Sequence, residues 1–165
     1  MITKDFFISY NKADKKWAEW IAWILEENGF TTVIQAWDFG PGSNFVLEMQ
    51  KAAEISNRTI AILSDNYLKS LYTQPEWAAA LAQDPTGNSR GLIPVRVKEC
   101  DLKGLLSQIV YIDFMEKNED DAEQELLQGI RQERLKPSKR PGFPNPFSNE
   151  TKPTYPDGSN NINPQ

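Results

Sequence analysis

The sequence alternates short apolar runs with segments whose apolar residues recur at helical spacing, and this alternation constrains the fold most. The apolar runs lie at residues 5–9, 30–35, 58–63, 92–97 and 109–113. Helical spacing occurs at 14–28, 44–56 and 119–134, and between the third run and Gln83. Because strands separated by helices cannot pair as hairpins, the sheet should be parallel with right-handed crossovers. We predict an α/β three-layer sandwich with a five-stranded parallel sheet in the flavodoxin-like order 2-1-3-4-5.

A sheet of this order has a crevice at the carboxyl ends of its first and third strands, where the chain connections diverge. Three polar segments should line it. They are residues 9–14 after the first strand, the run that begins at Ser64 after the third strand, and the loop 36–44 after the second. The sequence therefore predicts a ligand site built from these segments.

The loop GPGSNF (40–45) contains a GxG pair but follows the second strand. A dinucleotide-binding fingerprint needs a third glycine and should follow the first strand. We therefore interpret the glycines as turn residues, with Ser43 or Asn44 as the N-cap of the next helix. Gly29 lies where a helix of residues 14–28 would need a residue with positive φ after its end.

Three tryptophans in the first helical segment cannot all face the core. Trp17 and Trp20 share a face with Ile24, whereas Trp23 lies to one side of that stripe. Core packing explains the first two. Trp23 should be partly exposed, and an exposed aromatic side chain often marks a surface that contacts a partner.

The composition excludes several kinds of chemistry. The chain has no histidine, which rules out Ser-His-Asp and Cys-His catalysis and the usual zinc sites. Cys100 is the only cysteine, so we expect neither a disulfide framework nor a thiolate metal cluster, and a lone thiol suits a reducing cytoplasm.

The net charge of −5 argues against a nucleic-acid partner. No segment resembles a signal peptide or a membrane span, so we expect a cytoplasmic protein without membrane contacts.

The C-terminal end differs in composition from the rest of the chain. Seven of the eleven prolines lie at or after Pro137, and apolar periodicity almost disappears there. We predict one folded domain at residues 1–135 and a Pro/Asn/Ser-rich linker or disordered tail at 136–165. Such a tail would lead to further domains or to a sensor.

Glu76 lies at the start of a predicted helix, within the segment TQPEWAAAL (73–81). Thr73 and Glu76 fit a capping box, and Pro75 is tolerated in the first helical turn. The same position would face the crevice at the carboxyl edge of the sheet. A capping role and a catalytic role are compatible, because a rigid helix start is a good platform for a site residue.

Four segments, in order and at matching spacing, resemble a TIR (Toll/interleukin-1 receptor) domain of the bacterial type. They are DFFISYNKAD (5–14), WDFGPGSNF (37–45), TIAILSDNYLKS (59–70), and PEWAAAL followed by LIPVRV. The resemblance covers residues 4–134. Many TIR domains cleave the bond between nicotinamide and ribose in NAD⁺, and they share a site design with nucleoside 2′-deoxyribosyltransferases.

The resemblance also implies which residues form the site. Glu76 matches the essential glutamate of the catalytic members, and Tyr72 stands where the family often has a tryptophan. Contacts with the substrate are implied for the loop residues Trp37, Asp38 and Phe45 and for the strand-end residues Ser9, Tyr10 and Asn11. For the strand-end residues, capping of the strand is an equally good interpretation, and Asp38 could instead cap the loop. No metal ligand is implied.

From the resemblance we expect an NAD⁺ glycohydrolase or cyclase, the effector of a bacterial defence protein. NAD⁺ would be its substrate, with no cofactor. Activity in the family follows self-association, in which the loop 36–44 takes part. Two alternatives stay open: a non-catalytic signalling or scaffolding module that assembles through TIR–TIR contacts, and a nucleoside 2′-deoxyribosyltransferase-like enzyme.

Overall fold

A computed structural model describes residues 3–71, 91–102, 107–132, 134 and 136–146. The chain divides into two compact units, Met1–Arg134 and Leu135–Gln165. Residues 136–146, the described part of the second unit, contain neither helix nor strand. That this end of the chain is a linker or a disordered tail stays a prediction. The following paragraphs concern the first unit.

The described residues of the first unit form a parallel five-stranded sheet in the order β2-β1-β3-β4-β5. The predicted α/β fold and strand order are thus confirmed. The strands are β1 (Lys4–Ser9), β2 (Thr32–Ile34), β3 (Ser56–Leu63), β4 (Leu92–Arg96) and β5 (Ile112–Asp113). The register aligns one isoleucine from each of the first four strands, and all four are buried in one cluster: Ile34, Ile8, Ile60 and Ile93.

The sheet is covered on both faces. In β3, Ile60 and Ile62 belong to one apolar cluster, whereas Ala61 and Leu63 belong to another. Because side chains alternate between the two faces of a strand, two clusters on alternate residues mean that both faces are buried. The helices among the described residues are α1 (Lys15–Glu27), α2 (Gln35–Asp38), α3 (Phe45–Ile55), α4 (Asp65–Leu71) and α5 (Glu119–Ile130).

Three strands are shorter than predicted, β4 only by its last residue, Val97, and one helical turn was missed. The fifth strand was expected from residue 109, but Val110 is almost fully exposed and pairing starts at Ile112. The second strand ends at Ile34 because the chain turns there into α2, within the predicted loop 36–44. Asp38 Oδ2 accepts the backbone N–H of Ile34 at 2.8 Å and so closes this turn. The predicted helix that ends near Gln83 lies outside the described residues.

Helix α1 packs through one face and ends as predicted. Its buried face consists of Ala18, Ile21, Ala22, Ile24 and Leu25. Gly29 has φ +90°. The N–H groups of Gly29 and Phe30 donate to the carbonyls of Glu26 and Leu25 at 3.1 and 3.0 Å, which is the Schellman arrangement. The expected cap of the next helix is Asn44, whose Oδ1 accepts the N–H of Leu47 at 3.1 Å.

The predicted packing of Trp17 and Trp20 is also confirmed. Both rings contact Phe114, with centroids 5.9 and 5.7 Å apart. The Trp20 indole N–H donates to Glu119 Oε2 at 2.8 Å, so that α1 is tied to the first turn of α5. Trp23 is 62% exposed, as its position beside the stripe predicted.

A buried carboxylate joins three segments at the carboxyl edge of the sheet. Asp14, just before α1, is fully buried and accepts a hydrogen bond from Ser64 Oγ. Ser64 in turn accepts the N–H of Tyr67 at 3.1 Å and caps the first turn of α4. Lys98 Nζ, beyond the end of β4, lies 2.8 Å from Asp14 Oδ1. This last contact is an ion pair without a hydrogen bond. The loops after β1, β3 and β4 are thereby fastened together.

A second ion pair joins the ends of β4 and β5. Arg96 makes a bidentate contact with Asp113, with N···O distances of 2.7 and 3.1 Å. These hydrogen bonds hold the pKa of the Asp113 carboxyl below its usual value, against the opposing effect of burial, and the N–H of Met115 adds to the lowering.

The described residues include no helix that is long and apolar enough to cross a membrane.

We expect the Asp14–Lys98 pair to show strong coupling. Lys98→Met leaves a buried carboxylate without its cation and should cost about 2 kcal/mol of unfolding free energy, a value reduced from that of a fully buried pair because Lys98 is half-exposed. Adding Asp14→Asn removes the uncompensated charge, so the double variant should cost less than the two single variants together. Urea unfolding measures all three, with Lys51→Met on α3 as the control. Strict additivity would contradict the role assigned to this pair.

The Arg96–Asp113 pair should stabilise the protein in a pH-dependent way. Because the pKa of Asp113 is lowered on folding, its contribution is complete above the ordinary carboxyl pKa of about 3.9 and disappears as the pH falls through the lowered value. Asp113→Asn should therefore cost about 1 kcal/mol at neutral pH and little in strong acid. Urea unfolding across this pH range tests it, and Glu54→Gln on the exposed side of α3 is the control. A cost that is independent of pH would contradict the assignment.

Candidate functional site at the carboxyl edge of the sheet

An open hollow lies where β1 and β2 end. It has a volume of about 300 Å³ and is lined by Tyr10, Lys12, Lys15, Gln35, Ala36 and Phe39. The register pairs Ile8 with Ile34, so the residues that follow both strands emerge side by side at the same edge of the sheet. The hollow thus lies at the carboxyl edge of the sheet, but beside β1 and β2 and not at the predicted crevice between the first and third strands. Among the described residues, two of the three predicted segments contribute to its lining, and the run that begins at Ser64 does not.

The lining combines cationic, aromatic and amide groups. Lys12 and Lys15 belong to the 3-10 turn Lys12–Asp14 and to the first turn of α1. Two lysines in the lining of one hollow attract an anion such as a phosphate. Phe39 offers an apolar ring, and Gln35 offers an amide that both donates and accepts hydrogen bonds. The arrangement can accept a ligand that carries both a ring and a negative charge.

Tyr10 keeps its proton at neutral pH. Burial raises the pKa of Tyr10, and the negative charge of Glu19 raises it further, while a hydrogen bond with the backbone of Ala36 opposes both effects. A protonated phenol can donate a hydrogen bond as well as accept one. Of the three predicted strand-end residues, Tyr10 is the one that lines the hollow.

Ser9 and Asn11 have intramolecular partners instead. Ser9 is buried, and its Oγ accepts from the Tyr67 hydroxyl at 3.1 Å. Asn11 Oδ1 accepts the N–H of Ala13 at 2.9 Å, and its Nδ2 donates to Ser70 Oγ at 2.8 Å. These bonds fasten the end of β1 to helix α4. The bond from Ala13 makes Asn11 the cap of the turn that follows, whereas Ser9 pairs with a side chain and not with the backbone. Contact of either side chain with a nucleotide stays a prediction.

The three predicted residues of the loop after β2 lie on or near α2. Asp38 caps this turn through Ile34, as described above. The Trp37 indole N–H donates to Glu19 Oε2 at 2.9 Å, and 44% of the residue is exposed. Phe45, the first residue of α3, is 42% exposed and meets Phe39 edge to face with centroids 6.1 Å apart. Phe45 therefore contacts Phe39, a ring that lines the hollow together with Tyr10, but Phe45 is not itself among the described lining residues.

Glu76 and Tyr72 lie outside the described residues. Helix α4 ends at Leu71, immediately before Tyr72 in the chain. Asn11 donates a hydrogen bond to Ser70 on α4, and Tyr67 on α4 donates one to Ser9. These bonds hold α4, the helix that precedes Tyr72 in the chain, against the end of β1. The assignment of Glu76 therefore rests on its sequence position and on the resemblance stated above.

Sequence reasoning missed two features of this edge. Lys12 was interpreted only as part of the polar segment 9–14 and Lys15 only as part of the helical segment 14–28, although two lysines within four residues after a strand are a signal for an anion site. Asp14 was noted only as the last residue of a motif. An acidic residue at the start of a helix, beside the edge of the sheet, could have suggested a buried carboxylate that holds neighbouring loops together. Among the described residues no group of Cys, Asp and Glu side chains could hold a metal ion.

Comparison with known proteins identifies the family. The family model described as TIR domain matches residues 6–127. The TIR domain of the Toll-related receptor TRR-2 from Hydra magnipapillata is 27% identical, with a TM-score of 0.61 over 78% of this chain and 99% of that one. A comparison with curated proteins gave no match.

Two further structures have the same fold. A metazoan TIR-STING receptor from C. gigas, in complex with 2′,3′-cGAMP, is 27% identical with a TM-score of 0.60, over 74% of this chain and 39% of the receptor chain. The TIR domains of the activated Roq1 resistosome are 16% identical, with a TM-score of 0.55 over 79% of this chain and 99% of that one. At this identity the comparison shows a similar fold and nothing more. With a family match over most of its length and a fold of the expected topology, the chain belongs to the TIR domain family.

Proposed function

We propose that the protein is an NAD⁺ glycohydrolase or cyclase that cleaves the bond between nicotinamide and ribose. The TIR family includes members that hydrolyse NAD⁺ and members that serve as scaffolds. The observation that favours the enzyme is the hollow between the ends of β1 and β2, with two lysines and two aromatic rings in its lining. A module that only assembled with other proteins would not need a concave cationic site at this edge.

The lining matches the chemistry of NAD⁺. The dinucleotide carries a diphosphate with two negative charges between two planar bases. Lys12 and Lys15 supply the cations that a diphosphate needs, and Phe39, supported by Phe45, supplies a ring against which a base can stack. Tyr10 can donate a hydrogen bond to a phosphate or ribose oxygen, because its hydroxyl remains protonated.

The reaction needs little from the protein beyond positioning and one carboxylate. The nicotinamide ring is positively charged, so it leaves with the electron pair of the C–N bond without being protonated. The ribose then develops the positive charge of an oxocarbenium ion. We assign to Glu76 the carboxylate that stabilises this charge and accepts hydrogen bonds from the ribose hydroxyls. Tyr72 would pack against the substrate. Addition of water completes hydrolysis, and addition of an adenine nitrogen completes cyclisation.

One observation favours a second function, assembly without catalysis. The segment around α2 and the start of α3 exposes several apolar side chains, with exposed fractions between 42 and 60%: Trp37, Phe45, Val46 and Leu47. Neighbouring exposed apolar residues of this kind mark an interaction surface. A scaffold would use this surface for self-association. An enzyme of this family would use it too, as a step in activation within a bacterial defence protein.

Release of nicotinamide tests the proposed enzyme. Concentrated protein incubated with NAD⁺ should release nicotinamide, which chromatography detects together with the ribosyl product. Glu76→Gln preserves shape but removes the charge and should reduce the rate by at least about 100-fold. Glu54→Gln, on the exposed side of α3, should leave the rate unchanged.

Absence of release at every concentration, also under crowding, would contradict the enzyme and favour the scaffold. Base exchange on deoxynucleosides with NAD⁺ left intact would instead identify a nucleoside 2′-deoxyribosyltransferase-like enzyme.

The two lysines should affect binding more than chemistry. Lys12→Gln and Lys15→Gln each remove one cation from the hollow and should raise KM for NAD⁺ by about tenfold with little change in kcat. Nicotinamide riboside, which has no phosphate, should be cleaved equally well by the wild type and both variants. Lys51→Gln on α3 is the control. An equal loss of activity on both substrates would show that the lysines do not bind phosphate.

A further inference from the structure

Glu19, in the second turn of α1, lies beside the hollow at the carboxyl edge of the sheet. Lys15 comes four residues earlier in the same helix, so the two side chains project from one face, about 6 Å apart along the axis. Lys15 lines the hollow, whereas Glu19 is half-buried next to it. Glu19 forms no ion pair with Lys15 or with any other described residue. A carboxylate therefore lies one helical turn from a cation of the proposed phosphate site.

Two further contacts relate this carboxylate to the hollow. The Trp37 indole N–H donates to Glu19 Oε2 at 2.9 Å, and Trp37 directly follows Gln35 and Ala36, which line the hollow. The negative charge of Glu19 also raises the pKa of Tyr10. Because Tyr10 is a lining residue, the charge of Glu19 acts on a group that a ligand in the hollow would contact.

The charges in and beside the hollow distinguish between two dinucleotides. NAD⁺ carries two negative charges on its diphosphate, and Lys12 and Lys15 match them in number. NADP⁺ carries a further phosphate on the 2′ oxygen of the adenosine ribose, which adds a charge of about −1.5 to −2 at neutral pH. This ribose is bonded directly to the diphosphate, so the extra phosphate must be placed close to the two lysines and to whatever surrounds them. A ribose hydroxyl can donate a hydrogen bond to a carboxylate there, whereas a phosphate repels it.

We propose that Glu19 is a specificity-determining residue, which makes the hollow accept NAD⁺ and reject NADP⁺. The inference rests on the proposed function, because it takes the diphosphate to lie between the two lysines. In NAD⁺ the adenosine 2′-hydroxyl donates to the Glu19 carboxylate. In NADP⁺ the added phosphate meets the same carboxylate, and the described lining has no third cation to neutralise it. Asp38, the acidic residue of α2, lies outside the lining and caps its own turn. Glu19 is therefore the carboxylate to which we assign the selection.

Binding of NADH and NADPH to the 165-residue chain tests this selection without any reaction. Their dihydronicotinamide ring is uncharged and is not a leaving group, and its fluorescence reports binding. The wild type should bind NADH about tenfold more tightly than NADPH, and salt should reduce this ratio, because it screens the repulsion. Glu19→Gln keeps an oxygen that accepts the Trp37 N–H but removes the charge. It should strengthen NADPH binding until the ratio is about one, with NADH affinity changed less than about twofold. Glu19→Lys should invert the preference.

Two control variants separate charge from structure. Glu27→Gln removes the same charge about two turns further along α1, where the residue is exposed, and should keep the wild-type ratio. Trp37→Phe removes the hydrogen bond to Glu19 but keeps its charge, and should lower both affinities together.

The outcomes distinguish this inference from the proposed reaction. Equal binding of NADH and NADPH by the wild type would overturn the inference alone, and so would a Glu19→Gln variant that weakens both ligands equally. Selective binding of NADH without release of nicotinamide from NAD⁺ would support the inference and contradict the proposed enzyme. If neither ligand binds, the inference is overturned together with the phosphate role assigned to the two lysines.

Discussion

The buried carboxylate of Asp14 is the interaction on which the functional edge of this domain depends. A parallel sheet aligns the ends of its strands, but the loops that follow them are held only by what they contact. Asp14 connects the loop after β1 with Ser64 after β3 and with Lys98 after β4. Because a buried charge is tolerated only when it is paired and hydrogen-bonded, these three segments cannot separate without a large cost. The position of Lys12 and Lys15, on either side of Asp14 in the chain, follows from this constraint.

The electrostatics of the hollow differ from those of the whole chain. The chain has a net charge of −5, yet the two charged side chains in the lining of the hollow are both lysines. The net charge of the chain therefore repels an anionic ligand, whereas the lysines of this hollow attract it, and a concave site focuses their field. This local contrast supports the proposal that the hollow binds a diphosphate. It also explains why composition alone pointed away from nucleic acid without excluding a single nucleotide.

Hydrophobic patterning was enough to predict the fold but not the orientation of the site residues. Five apolar runs separated by helical segments allow few topologies, and the observed strand order is the predicted one. The same pattern places Ser9, Tyr10 and Asn11 at the sheet edge, but one residue of displacement along a strand end turns a side chain from the core to the surface. Tyr10 lines the hollow, whereas Ser9 and Asn11 bind Tyr67 and Ser70, residues nearly sixty positions away. Sequence spacing contains no signal for such long-range partners. The role of Glu76 stays a prediction.

The thirteen residues of helix α1 contribute to the core, to the hollow and to the solvent-exposed surface. One face, with Ile21 and Leu25, is buried against the sheet. Lys15 contributes to the hollow, and Lys16, about 100° away around the helix axis, is exposed to solvent. Glu19 lies between these two regions, where it accepts a hydrogen bond from Trp37 and raises the pKa of Tyr10. Around α1, Ile21 and Leu25 thus face the core, Lys15 faces the hollow, and Lys16 and Trp23 face solvent. Because these directions are fixed by the helical period, a shift of a single residue in this segment would disturb all three at once.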